Sequence, residues 1–210
     1  MKKKKLTILY EDKNLLVVYK ESGLLTISTE KEKYNTLFHE VSLYLHKKNQ
    51  KAFIVHRLYI DTSGLIIFAK DLKSKNILQE NWDSVVRKYY AVVLGKLVGF
   101  DTIKSYLYED KTFYTHVSKS NKGLLAITNY NSLKSNDKYS LLDIRILTGR
   151  KNQIRVQLNN IGYPILGDKK YGNNRFKRLM LEAYYLNFKH PITKEKIEIN
   201  LKLNPLFDLN

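Results

Sequence analysis

The chain has 210 residues, 43% of them hydrophobic, which is enough to fill a core and argues against disorder as the starting assumption. Its 37 Lys and Arg outnumber 20 Asp and Glu, for a net charge of +17, which points to a polyanionic partner, nucleic acid first; a lysine-filled surface with no such partner would give the same balance. With no Cys and only 5 His, a disulfide framework and a thiolate metal site are excluded, and a zinc site is not expected.

The opening "MKKKKLTILYEDK" is basic, but Glu11 and Asp12 break its apolar run too early for a signal peptide. No stretch approaches the ~20 apolar residues of a membrane span, so a soluble cytoplasmic protein is expected. "LTILYED" and "NLLVVYK" predict two short strands with a tight connection, and Gly23 permits a turn after them. In "NTLFHEVSLYLHKK" the spacing of Leu37, Val41 and Leu45 predicts a helix capped by Asn35 or Thr36. "GLIIFAK" predicts a buried strand, "DLKSKNILQENWD" a helix capped by Asp71, and "KYYAVVLGKL" another strand.

From Ser105 to Leu147 short β-type runs dominate, and "LLDIRIL" puts Leu142, Ile144 and Ile146 on one face with Asp143 and Arg145 on the other. The polar "NSLKSNDKYS" is expected to be a hairpin loop. "NQIRVQLNNIG" changes to helical period, with Ile154, Leu158 and Ile161 on one face and Gly162 as the stop. "KIEINLKLN" alternates Ile197, Ile199, Leu201 and Leu203 as a last strand. The whole predicts one α+β domain over residues 1–210, a mainly antiparallel mixed sheet with a few flanking helices.

Three clusters could carry chemistry. His56, Arg57, Asp61, Thr62 and Ser63 crowd the mouth of the buried strand, where each polar group must be solvated or paired; an ordinary turn serves equally well. "TGRKNQIRVQ" sets Arg150 and Lys151 at a helix N-terminus, a reasonable phosphate grip. Arg155, among Ile154, Val156 and Leu158, reaches either a partly buried anion or solvent. Tyr89, Tyr90 and the pair Phe113 and Tyr114 could stack unpaired bases, or serve only as core and sheet-face residues.

Taken together, these segments resemble the RluA-type pseudouridine synthases over nearly the whole chain. "YEDKNLLVVYKESGLL" is similar to the family's opening, with Glu21 where Pro is usual, and "HRLYIDTSGLIIFAK" to its signature. "RKYYAVVLG" resembles the strand of its active-site Tyr, here Tyr89. "TGRKNQIRVQLNNIGYPILGDKKYG" is the most specific match, and "LEAYYLNFKHP" completes the C-terminal end. An S4-type RNA-binding module, common ahead of this domain in relatives, has no counterpart in these residues.

The resemblance implies a pseudouridine-synthase-like fold and isomerisation of a flipped-out uridine in structured RNA, ribosomal or transfer, with no metal or organic cofactor. Arg57, Thr62, Ser63, Gly64, Tyr89, Gln153, Arg155, Gly167 and Asp168 match the family pattern; Arg57, Thr62, Ser63 and Gln153, with the helix-terminal Arg150 and Lys151, are the expected RNA-binding residues, and Tyr89 and Arg155 the expected catalytic ones. The family's catalytic Asp follows "HRL" and pairs with the Arg matching Arg155; here that position is Tyr59. Carboxyls ionise at about pH 4 and phenols at about 10, so a phenol is a poor substitute, and a larger one. Asp61 is too far along a chain that advances ~3.3 Å per residue to replace the acid without rearrangement. Asn152, Gln157 and Glu182 stand where the family usually has His.

The expectation is therefore an RNA-binding protein, monomeric, whose uridine isomerase activity is lost or severely reduced. The alternative is an active synthase with a repositioned carboxylate. Deprived of its usual partner, Arg155 is expected against Asp61, a phosphate-like anion, the Tyr59 hydroxyl or water.

Overall fold

A computed structural model describes residues 6–120, 122–172 and 176–208; the opening lysine run, residues 2–5, lies outside them. The chain divides into two compact units. One comprises the residues up to Val85 together with Leu186–Ile199, and the other comprises Val86–Tyr185 and the residues from Asn200. Among the described residues no helix is long and apolar enough to cross a membrane.

In the first unit, β1 (Ile8–Glu11) and β2 (Leu15–Lys20) form an antiparallel hairpin. Asp12 closes it, its Oδ1 accepting from the backbone N–H groups of Asn14 at 2.8 Å and Leu15 at 2.7 Å, the local bonding that favours Asp in turns. β2 pairs antiparallel with β4 (Ser63–Ala69), from Leu15 opposite Ala69 to Lys20 opposite Gly64, and the short β3 (Phe53–Ile54) also pairs with β4. Every residue of β4 is buried, which explains its unbroken apolar run.

Helix α1 (Leu37–His46) is capped by Thr36, whose hydroxyl accepts from the His39 amide at 3.1 Å, and it buries Leu37, Val41 and Leu45. Helix α2 (Leu72–Glu80) is capped by Asp71, which accepts from the Ser74 amide at 2.7 Å. Each cap satisfies one otherwise orphaned N–H and contributes about 1 kcal/mol.

The second unit has the strand order β5 (Val86–Leu94), β9 (Tyr139–Ile146), β8 (Leu124–Ser135), β6 (Phe100–Glu109), β7 (Thr115–Val117), all antiparallel. Leu142 and Ile144 are fully buried among Ala91, Val92 and Val93 of β5 and Ile154 and Leu158 of α3 (Gln153–Asn160). Burial of side chains this size stabilises by roughly 1.5–3 kcal/mol each. Strand β10 (Leu181–Lys189) belongs to the second unit as far as Tyr185 and to the first beyond it, and β11 (Lys196–Asn200) pairs with it.

Three expectations are corrected. "NSLKSNDKYS" is mostly strand: Asn131 to Ser135 continue β8 opposite β9, with a register shift between Ser132 and Lys134, and the turn is confined to the few residues that Asn136 closes by accepting from the Lys138 and Tyr139 amides. A backbone ladder does not require apolar side chains when one face meets water. Ile161 is not on the buried face of α3; it follows the helix as its C-cap and is 36% exposed. Leu201 and Leu203 lie beyond β11, although the Leu201 amide still donates to the Tyr184 carbonyl of β10 at 2.9 Å.

The first unit is fastened by an acid on β1. Glu11 accepts from Lys48 at 2.8 Å, Lys70 at 2.7 Å and the Tyr44 hydroxyl at 2.6 Å. Burial alone would raise its pKa, but these three donors outweigh that and hold it at about 2. A carboxyl depressed in this way stabilises the fold above its unfolded value of about 4.5 and loses that contribution as pH falls towards 2. Glu11→Gln is therefore expected to melt at a lower temperature than the parent at pH 7, with the gap closing between pH 4.5 and 2. A gap independent of pH in thermal melts would contradict this.

Candidate active site

The first unit supplies a pinned turn. Between His56 and Thr62 the chain has little regular structure, yet its carbonyls are held one after another by the segment that follows β2. The Thr26 hydroxyl donates to the Leu58 carbonyl at 2.7 Å. The Ile60 carbonyl accepts from the Lys20 ammonium at 2.9 Å and from the Gly23 amide at 2.8 Å. The Ser22 hydroxyl donates to the Asp61 carbonyl at 2.7 Å, and Thr62 N–H closes the turn onto the Tyr59 carbonyl at 3.1 Å.

Lys20 is the residue that sequence reasoning missed. Its side chain is completely buried, and its ammonium also donates to the carbonyls of Glu21 at 3.0 Å and Leu24 at 2.7 Å. Burying a charge costs several kcal/mol unless it is well bonded, and here it ties two loops together. The available signal was a lysine ending an otherwise apolar strand.

On this turn Tyr59 is 42% exposed, and Arg57 and Asp61 are exposed as well. Thr62, just ahead of β4, and Ser63, its first residue, are buried. His56 also serves the fold. Its Nε2 accepts from the Ile67 amide at 3.1 Å, and its ring lies 4.4 Å from that of Trp82.

The second unit holds a buried arginine. Arg155 on α3 is 7% exposed; its Nε and Nη2 donate to the two carboxylate oxygens of Asp168 at 2.8 and 2.7 Å. Its Nη1 donates to Asn152 Oδ1 at 3.2 Å, and the guanidinium carbon lies 5.1 Å from the centre of the Tyr171 ring. Asp168 is a partner that the expectation for Arg155 did not include. The fork geometry explains the choice, since a planar guanidinium matches a carboxylate edge with two parallel bonds.

Asp168 is itself 1% exposed and accepts from the Lys170 and Tyr171 amides at 2.9 and 3.0 Å. Burial works to raise its pKa, and the hydrogen bonds and charge of Arg155, with those amides, overcome this and hold it below the ordinary carboxylate range. The loop can deliver the acid because Gly167 adopts φ +80°, and a Cβ there would meet the Arg178 carbonyl oxygen at 1.9 Å.

Positions where the family usually has His have been absorbed into this packing. Asn152 is left-handed, at φ +53°, a conformation Asn tolerates, and besides accepting from Arg155 it donates to the Tyr171 hydroxyl at 3.1 Å. Gln157 accepts from the Thr128 hydroxyl at 2.6 Å and donates to Ser105 Oγ at 2.9 Å and the Ala126 carbonyl at 3.1 Å. Gln153, expected to face RNA, is buried with both ends engaged: it donates to the Ile127 carbonyl and Thr128 Oγ1 and accepts from Thr148 Oγ1 and the Arg150 amide.

Arg150 and Lys151 lie just ahead of α3 and are exposed. The Arg150 Nε donates to the Leu125 carbonyl at 2.9 Å, and Lys151 forms an ion pair with Glu109. Tyr89 is half-buried on β5 opposite Ile144, and Tyr90 is stacked on Tyr184 with ring centres 3.7 Å apart. Of the aromatic set, only Phe113 and Tyr114 stand on a hairpin. No group of three or more His, Cys, Asp or Glu among the described residues is placed to hold a metal ion.

Comparison with known proteins places the chain in a family. Residues 14–160 match the family model described as RNA pseudouridylate synthase. The chain is 34% identical over 201 residues to an uncharacterized RNA pseudouridine synthase of Bacillus subtilis (strain 168), covering 91% of this chain and 67% of that protein. It is 33% identical over 220 residues to ribosomal large subunit pseudouridine synthase D of Buchnera aphidicola subsp. Baizongia pistaciae, covering 94% and 69%. The fold is similar to that of human RNA pseudouridylate synthase domain containing 1, with a TM-score of 0.79 at 23% identity, covering 97% of this chain and 86% of that one. The chain belongs to the RNA pseudouridylate synthase family, RluA type.

Proposed function

We infer that this protein binds structured RNA, ribosomal or transfer, through a pseudouridine synthase fold whose uridine isomerase activity is lost or severely reduced. The observation that carries this is the pinned turn at Tyr59. In the family pattern an Asp stands at that position, and the reaction asks for an ionised oxygen there; phenols as a class are ionised only about once in a thousand at neutral pH.

The same turn argues against a repositioned carboxylate. The backbone of Leu58, Ile60 and Asp61 is held by the bonds from Thr26, Lys20, Gly23 and Ser22, so moving the Asp61 carboxylate two places back would break several of them, each worth about 1 kcal/mol or more. The retained Arg155 cluster supports a binding role, as does the net charge of +17. The reading places the protein in the cytoplasm with its RNA, as a monomer. A relative named for the ribosomal large subunit makes ribosomal RNA the first substrate to test.

Two outcomes check it. Incubated with bulk RNA lacking pseudouridine, the parent protein is expected to leave no isomer detectable by chemical labelling, while Tyr59→Asp forms it; turnover by the parent at a relative's rate would overturn the proposed loss. RNA affinity is expected to drop about tenfold or more between roughly 50 and 200 mM salt, as about three neutralised phosphates would give. A flat salt response in filter binding would contradict the electrostatic part.

A further inference from the structure

The β6–β7 hairpin carries aromatic rings that the family chemistry does not use. Tyr108 and His116 are register partners across the hairpin, their rings 5.3 Å apart and stacked. Tyr114 lies 4.8 Å from His116 and 4.7 Å from Tyr171, whose ring also faces the Arg155 guanidinium. The four rings therefore run as a chain from the buried guanidinium out to Tyr108, which is 45% exposed. They border an open cavity of about 920 Å³, also lined by Lys119, Lys122 and Asn160, within the ~300–1,000 Å³ range of small-ligand sites.

A second observation concerns the hairpin tip. Phe113 is 68% exposed and left-handed, at φ +62°. A bulky side chain in that conformation costs roughly 1–2 kcal/mol, and Gly or Asn would avoid the cost. Asp110 holds the tip in place, accepting from the Thr112 and Tyr114 amides at 2.8 and 3.0 Å and bonding His116 Nε2 at 2.8 Å. Lys151 sits 5.4 Å over the Phe113 ring, and Lys170 lies 4.8 Å over that of Tyr114. Exposed rings with ammonium groups beside them fit a planar base joined to a phosphate.

We propose that this cavity is a second nucleotide site, which takes one unpaired nucleotide of the bound RNA, its base stacked on the Tyr108–His116–Tyr114 rings and its phosphate beside Lys119 and Lys122. This rests on the RNA-binding reading above and adds a place where single-stranded character is recognised. Stacking suits any base, so the site selects unpaired structure more than sequence.

The test uses the full chain and two probes: a short unpaired RNA bearing 2-aminopurine, whose fluorescence stacking quenches, and a blunt fully paired RNA. The parent is expected to bind the unpaired probe with quenching. Tyr108→Ala should weaken that binding about 5- to 150-fold, the equivalent of ~1–3 kcal/mol per stacked base, Tyr108→Phe should restore it, and duplex affinity should change less than about twofold in either variant. Lys122→Ala, on an exposed side chain, serves as a second variant should Tyr108→Ala fold poorly, with a smaller loss of unpaired binding and a shallower salt slope. The proposal is overturned if both alanine variants bind the unpaired probe at parental strength, or if paired and unpaired binding fall together. Failure of the parent to bind either probe would remove the RNA-binding reading itself, a result distinct from those two.

Discussion

Inside the second unit the guanidinium of Arg155 meets the carboxylate of Asp168 edge to edge, both nearly sealed from water. A buried charge left alone costs several kcal/mol, so the surroundings must be built to satisfy it. They are: the Lys170 and Tyr171 amides bond the acid, Asn152 accepts from the remaining guanidinium edge, and the Tyr171 ring covers it. The requirement for glycine at residue 167 and the left-handed turn at Asn152 both follow from bringing these groups together.

That arrangement would make the proposed loss of a family acid at residue 59 physically tolerable. If Arg155 had only that acid to pair with, substitution by tyrosine would strand a buried cation and threaten the fold. With Asp168 in the same unit, the arginine stays compensated whatever stands at residue 59. The turn bearing Tyr59 is held as firmly, through Lys20, Gly23, Ser22 and Thr26.

Much of this was legible from the residues. The caps at Thr36 and Asp71, the buried strand at Ser63–Ala69 and the faces of Tyr139–Ile146 follow from local propensity and period, which act over a few residues. What could not be read depended on distant partners. Asp168 was recognised as part of the pattern, but nothing within thirteen residues of spacing says that it meets Arg155. Gln153 looks like a surface amide until Thr128 of β8 and Thr148, just past β9, reach it, and the polar run after Tyr130 looks like a loop until β9 pairs with it. Lys20 was hidden because its three carbonyl partners lie in irregular segments with no signature of their own.

The self-sufficiency of the Arg155–Asp168 pair is most directly tested by a double-mutant cycle in denaturant unfolding. Asp168→Asn alone is expected to cost about 3–5 kcal/mol, because it leaves the guanidinium buried without a counter-charge, and the cycle closed by Arg155→Met and the Arg155→Met/Asp168→Asn double variant should recover a large part of that loss. A cost below about 0.5 kcal/mol for Asp168→Asn, with no coupling between the two positions, would show that Arg155 draws its compensation from elsewhere and would contradict the account.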